Sequence, residues 1–194
     1  MDGKSVVKKV FDNTSTVESF DMNVHRRIST GLPSCENHEW EVYSKPHYDG
    51  FMQNTLSCKA FPGSVIMTDG HYNGYRKFLT ELTECGNDLN NVHMSGLGLG
   101  TMIPVILSYK NIKMLNVVEI SKSLIDLIGP FYKQYTSDGR LKITCADARK
   151  YDMGEAHYDL AFHDIWTAND NKERIDILKK YQNNSTKQAC WTRT

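Results

Sequence analysis

Asn91-Val92-His93-Met94-Ser95-Gly96-Leu97-Gly98-Leu99-Gly100 decides how the rest of the chain is read. Asn91–Ser95 has the length and apolar content of a short strand, and three alternating glycines follow it. Beyond them Thr101–Tyr109 reads as a helix that tolerates Pro104 in its first turn. Glycine is needed where the backbone turns tightly and where a ligand must approach bare main chain. A helix that opens at such a turn aims its free N–H groups and the positive end of its dipole at that ligand.

Toward the C-terminus the pattern repeats. Met114–Val118 reads as a strand, Ser121–Tyr135 as a helix, Leu141–Cys145 and Tyr158–His163 as strands, Asp170–Tyr181 as a helix and Gln188–Thr192 as a last short strand. Short apolar strands alternating with helices imply a mostly parallel sheet with helices on both faces, a Rossmann-like α/β fold. Toward the N-terminus, Tyr75, Phe78, Leu79 and Leu82 fall at helical spacing, and Gly86-Asn87-Asp88 ends that helix. Glu39–Tyr43 alternates polar and apolar residues, and Ser64–Thr68 is a second strand between turn signals, so residues 36–70 form a small β-rich cap behind a loop at 29–38. Val6, Val7, Val10 and Phe11 suit one short helix. The expected division is an N-terminal extension and cap over 1–73 and a Rossmann-like domain over 74–194.

Composition sets outer bounds. A chain of 194 residues suits one domain with a small appendage. With 40% hydrophobic and 24% charged residues it reads as globular, and a formal net charge of zero gives no strong nucleic-acid signal. Five cysteines without CxxC spacing argue against a disulfide framework and a zinc ribbon, and for free thiols in a reducing cytoplasm. No apolar run suggests a signal peptide or a membrane span. An open edge beside the last strand would pair with another copy, which makes a homo-oligomer the expected assembly.

The strand ends carry the chemistry. Glu119 closes Asn116-Val117-Val118-Glu119-Ile120 and stands 21 residues after Gly98, the spacing at which a carboxylate accepts hydrogen bonds from ribose hydroxyls. A dinucleotide site needs glycine or alanine at the sixth position of its fingerprint. Here that position is Thr101 counted from Gly96, or Ile103 counted from Gly98, which points to a nucleoside without a pyrophosphate. Asp147 and Ala148 follow the next strand, where a carboxylate can accept from an adenine amino group, and Asp164 ends the strand after that. A glycine turn and three acids thus fall at four consecutive strand ends, the side on which open parallel sheets bind ligands.

GLGLG (96–100), VVEIS (117–121), ADA (146–148) and YDLAFHD (158–164) together resemble the class I S-adenosylmethionine-dependent methyltransferases, and within that fold the spermidine synthase branch. Val65–Gly70 is similar to the strand and Asp-Gly turn that precede the glycine loop in aminopropyltransferases, although Asn73 and Thr101 stand where those enzymes carry glutamine and an acid. A looser likeness joins the chain to small phage-type proteins of this fold. The resemblance implies S-adenosylmethionine as cofactor. It places Gly96, Leu97, Gly98 and Gly100 at the methionine part, Glu119 and Ile120 at the ribose side, and Asp147 and Ala148 at the adenine. Asp164 is implied at the reacting centre.

Methyl transfer asks a protein to align donor and acceptor and, where needed, to take a proton, a role open to Asp164. Trp166 suits either a cation–π contact with a sulfonium or a hydrophobic plug, and His163 either flanks the centre or points into packing on the opposite side of the strand. Asp69, with His71 and Tyr72 after it, forms either a lid or a surface turn. Asp164-Ile165-Trp166-Thr167 is not the Pro-Pro-aromatic turn of amino-methylating DNA enzymes, and Asp164, Asp170 and Asn171 read as helix-capping groups with no metal site. Four activities stay open: methyl transfer to a small molecule, aminopropyl transfer, cofactor breakdown by a lyase, and binding without catalysis.

Overall fold

The computed structural model describes residues 30–46, 52–69, 72–85, 88–165 and 171–191. Five strands form one parallel sheet: β5 (Asn91–Ser95), β6 (Met114–Glu119), β7 (Leu141–Cys145), β8 (Tyr158–His163) and β9 (Ser185–Cys190), in the order β7-β6-β5-β8-β9. The chain starts in the middle, runs outward through β6 and β7, then crosses back to β8 and β9. The strand order reverses at β5, and that reversal opens a crevice outside the carboxyl ends of β5 and β8. This is the Rossmann-like α/β arrangement that the strand and helix pattern predicts.

One face of this sheet is apolar. Val92, Met94, Leu115, Val117, Leu160 and Phe162 lie beneath α1 (Tyr72–Cys85), α2 (Met102–Leu107) and α3 (Lys122–Ile128) in a single buried cluster. Phe78 of α1 packs on Phe162 in a tilted pair with ring centroids 4.5 Å apart, and Tyr75 on the same ring at 5.7 Å. Gly74 lets this helix approach β9, because a Cβ there would stand 1.9 Å from the Trp191 indole nitrogen. The opposite face is covered by α5 (Asn171–Tyr181) and by residues 146–157, which contain no helix.

The cap is a separate four-stranded antiparallel sheet: β1 (Cys35–Glu36), β2 (Trp40–Pro46), β3 (Met52–Cys58) and β4 (Val65–Thr68), in that order. Leu32, Val42 and Leu56 join the apolar cluster of the main sheet, so the two sheets share a core. The cap docks on the start of α3, where the Trp40 indole donates to the Ser121 and Ser123 hydroxyls at 3.0 and 3.1 Å and the Asn37 amide donates to the Ser123 carbonyl at 2.8 Å.

Four sequence readings need correction. β3 and β1 are strands that the pattern missed. Gln53, Asn54 and Thr55 are buried polar residues, so no alternation shows. The helix expected over 121–135 breaks into α3, a 3₁₀ turn at Gly129–Tyr132 and α4 (Lys133–Ser137), because Pro130 has no N–H to continue the ladder. The helix expected over 101–109 stops at Leu107, and Arg140 takes over its open end. The guanidinium donates to the carbonyls of Leu107, Tyr109 and Ile112 at 2.9 to 3.1 Å. The last strand begins at Ser185 and ends at Cys190, earlier than expected. The N-terminal helix expected around Val6–Phe11 lies outside the described residues. No helix among the described residues is long and apolar enough to cross a membrane.

Candidate functional site

The glycine turn sits at the carboxyl end of β5, at the strand-order reversal. Gly96, Gly98 and Gly100 all have positive φ (94°, 51° and 69°), which side chains rarely adopt. Each is also hemmed in by the chain itself. A Cβ on Gly96 would meet the Asp164 carbonyl at 2.1 Å, one on Gly98 the Met67 sulfur at 2.4 Å, and one on Gly100 the Tyr132 ring at 2.3 Å. Met67 also accepts a hydrogen bond from the Leu99 amide at 3.4 Å, and the Tyr132 hydroxyl donates to the Leu99 carbonyl at 2.7 Å. The glycines are therefore required by internal packing before any ligand is considered, a cause the sequence does not reveal.

Glu119 closes β6 and is buried beside this turn. Its two carboxylate oxygens accept from the Leu97 and Ser121 amides, each at 2.8 Å. The acid and the glycine turn are thus joined directly. A carboxylate has about four lone-pair sites, so each oxygen keeps one for a further donor. The Leu97 side chain is buried in the core, and only its amide faces the acid. Ile120 next to Glu119 is 61% exposed, a bare apolar side chain at a strand end.

Asp147 is half-buried after β7. Its Oδ1 accepts from the Arg149 amide at 3.0 Å and pairs with the Arg149 guanidinium at 3.3 Å, which in turn reaches Glu173 of α5 at 3.4 Å. Ala148 is buried, and its carbonyl accepts from the Tyr181 hydroxyl at 3.3 Å. Asp164 follows β8 and its amide donates to the Ser95 carbonyl at 2.9 Å, holding it against the glycine turn. Burial pushes its carboxyl up to about 7. The Arg174 guanidinium opposes that shift and the Glu119 carboxylate adds to it. A carboxyl with that pKa suits proton transfer near neutral pH.

The residues expected at the substrate side divide. Asp69 is buried, and its carboxylate accepts from the Asn54 amide at 2.9 Å and from the Thr30 amide and hydroxyl at 2.9 and 3.0 Å. It ties β3, β4 and residue 30 together, while the Asn54 side chain donates to the Leu32 carbonyl at 2.6 Å. His163 is fully buried on the covered polar face, bonded to Ser95 and Gln188. That matches the packing alternative. Tyr72 opens α1, but its side chain and the whole of His71 and Trp166 lie outside the described residues.

Two hydroxyls that sequence reasoning passed over also reach this region. Tyr75 and Thr101 are each 2% exposed, and their hydroxyls face each other with no further partner among the described residues. Burial, and after it the charges of Asp164 and Asp69, hold the Tyr75 phenol well above the usual range, against the bond to Thr101. Tyr75 was legible only as part of an apolar helix stripe, and Thr101 only as a departure from a motif.

No protein-family model and no curated protein matches this chain. Among solved structures it is similar to a Staphylococcus aureus protein assigned as a caffeoyl-CoA O-methyltransferase, at 15% identity over 57% of this chain and 51% of that one, with a TM-score of 0.45. It is similar to spermidine synthase from Thermotoga maritima at 16% identity over 67% of this chain and 46% of that one, with a TM-score of 0.46. It is also similar to the CcbJ methyltransferase from Streptomyces caelestis at 18% identity over 59% and 45%, with a TM-score of 0.43. The chain spans about half the length of these structures.

Proposed function

We infer that the chain binds S-adenosylmethionine across the carboxyl ends of β5, β6, β7 and β8 and transfers its methyl group to a small-molecule acceptor. The observation that carries this reading is the bond from the Leu97 amide to Glu119, which puts the glycine turn and the acid in one site with lone pairs to spare. In that site Glu119 accepts from the ribose hydroxyls, and Ile120 offers an apolar face to the base. Asp147 accepts from the adenine amino group, a role in which it competes with Arg149 for the same oxygen.

When bound, the cofactor supplies an electrophilic methyl carbon on a sulfonium. The chain's own contribution is alignment and a proton acceptor. Asp164 is the group suited to take the acceptor's proton. Asp69 and Asp164 set two carboxyl groups near Tyr75, on the acceptor side. That favours a cationic acceptor such as an amine, and it keeps aminopropyl transfer as the second reading.

The test is calorimetric titration of the full chain with S-adenosylmethionine, beside Glu119→Ala, followed by mass spectrometry of the products. Saturable binding that weakens at least tenfold in the variant is expected. S-Adenosylhomocysteine as product supports methyl transfer. Methylthioadenosine would replace that reading with aminopropyl transfer if a modified amine accompanies it, and with a lyase if none does. Binding without turnover would leave a non-catalytic binding protein, and no binding at millimolar cofactor would sink the reading altogether.

A further inference from the structure

The face of the sheet under α5 carries a row of buried polar groups that the proposed chemistry does not use. Asn116 of β6, His93 and Ser95 of β5 and His163 of β8 are each at most 5% exposed, and Gln188 of β9 joins them. Asn116 Nδ2 lies 3.3 Å from His93 Nδ1, His93 Nε2 3.1 Å from Ser95 Oγ, Ser95 Oγ 2.8 Å from His163 Nδ1, and His163 Nε2 3.2 Å from Gln188 Oε1. At the far end Gln188 Nε2 donates to the Leu178 carbonyl of α5 at 3.1 Å.

With both imidazoles kept neutral by burial, the direction of every bond follows from that last one. With its nitrogen committed to Leu178, Gln188 presents oxygen to His163, so His163 Nε2 must carry a proton. A neutral His163 then accepts at Nδ1, and the Ser95 hydroxyl must donate to it. Ser95 has no second proton, so it accepts from His93 Nε2–H. His93 Nδ1 accepts in turn from the Asn116 amide, whose other proton goes to the Tyr158 hydroxyl at 3.2 Å. Both imidazoles are therefore neutral Nε2–H tautomers in one unbroken chain. A third proton has no place in it. The surroundings agree: the rings of Tyr151, Tyr158 and Tyr181 face His93, and Tyr181 faces His163. Burial, with His163 nearby, pushes His93 down to about 3. Burial alone pushes His163 down to about 4, against the bond to Gln188.

This chain is placed where position matters. Ser95 precedes Gly96, His163 precedes Asp164, and Asn116 lies three residues before Glu119 on the same strand. The geometry points to a positioning role: the one-way chain Asn116–His93–Ser95–His163–Gln188 locks four neighbouring strands at a fixed relative height and so sets the glycine turn, Glu119 and Asp164 against one another. Its effect on ligand binding rests on the cofactor reading above, whereas the tautomers and the strand-end order do not.

The experiment has a ligand-free part and a ligand part. Nitrogen-15 NMR of histidine-labelled full chain, with His93→Gln and His163→Gln to assign the rings, should show both imidazoles protonated at Nε2 and bare at Nδ1. An Nδ1–H tautomer at either ring overturns the proposal. Ser95→Ala removes the central link. Amide exchange at Gly96, Leu97 and Asp164 should then rise at least tenfold, while Val92 and Leu160 keep their protection and Ser95→Thr restores the rates. Unchanged exchange at the strand ends overturns the proposal even if the variant is less stable. S-Adenosylmethionine should bind the alanine variant about tenfold more weakly than wild type. Equal binding would remove the positioning role, whereas a wild type that binds no cofactor but shows the tautomers and the loosened strand ends would sink the cofactor reading and leave the lock standing.

Discussion

The two faces of the five-stranded sheet are built from the same strands on opposite principles. One face presents Val92, Met94, Leu115, Val117, Leu160 and Phe162 to three helices, and any apolar group of the right volume could serve there. The other presents His93, Ser95, Asn116, His163 and Gln188 to one helix and a helix-free segment, and each side chain bonds two specific partners. Apolar burial is non-directional and supplies most of the folding energy. Buried hydrogen bonds add little net stability, but leaving one unmade is costly, so they select one arrangement of the strands. The first face holds the sheet together, and the second fixes its register.

Four measurements break or sharpen this contrast. Phe162→Ala on the apolar face deletes a ring that packs on Phe78 and Tyr75, and should cost about 3–5 kcal/mol in urea unfolding, with the pH dependence of stability unchanged. A cost under about 1 kcal/mol would show that the apolar face is not the source of cohesion.

The polar face should show itself in acid. His93 and His163 have folded pKa values lowered from 6.5 to about 3 and about 4, so below pH 6.5 the unfolded chain binds more protons and stability falls. Asp164 works in the opposite sense. Its folded pKa is raised from 3.8 to about 7, so its contribution grows as pH drops from 7 toward 3.8. Two groups against one leave a net loss, and the urea midpoint should decline by a few kcal/mol equivalent between pH 6.5 and about pH 4. His163→Gln should flatten that decline, and a midpoint independent of pH would show that these imidazoles are not buried as neutral groups.

Gly74→Ala tests how closely α1 sits on β9. An alanine in a helix interior is worth about 1 kcal/mol over glycine. Here its Cβ would collide with Trp191, and a net loss of about 1–3 kcal/mol is expected in thermal unfolding. A gain in stability would mean that Trp191 moves aside at little cost. The smallest effect is expected away from both faces. Lys122 and Asp126 form an exposed pair one helical turn apart, so Lys122→Ala should change stability by less than about 0.5 kcal/mol.

How much of this was legible in the sequence depends on how far away each partner lies. Strand β5, its glycine turn and the acid that ends β6 are local patterns, and the structure has them at the residues the sequence predicts. The break at Pro130 is equally local, but the apolar periodicity that runs across it hides it. Strand β3 was not legible, because Gln53, Asn54 and Thr55 look like surface residues, and the Leu32 carbonyl that takes the Asn54 side chain lies 22 residues away. The same holds at the site. The residues crowding the glycines come from positions 67, 132 and 164, and no window of sequence contains them together. The histidines were visible one at a time, but their bonded chain exists only once β5, β8 and β9 are side by side.

The crowding of the glycine turn has a consequence for how the sequence can drift over evolutionary time. Gly98 and Gly100 lie near the left-handed helical region, which asparagine can enter, and their obstacles are side chains. A lineage can therefore leave either position by a paired change, with a smaller residue at Met67 or Tyr132 first. Gly96 has no such route. Its φ of 94° lies beyond that region, and the atom in its way is a main-chain oxygen that every residue at position 164 would carry. Among descendants of this chain, variation should be correlated at 67 with 98 and at 132 with 100, and absent at 96.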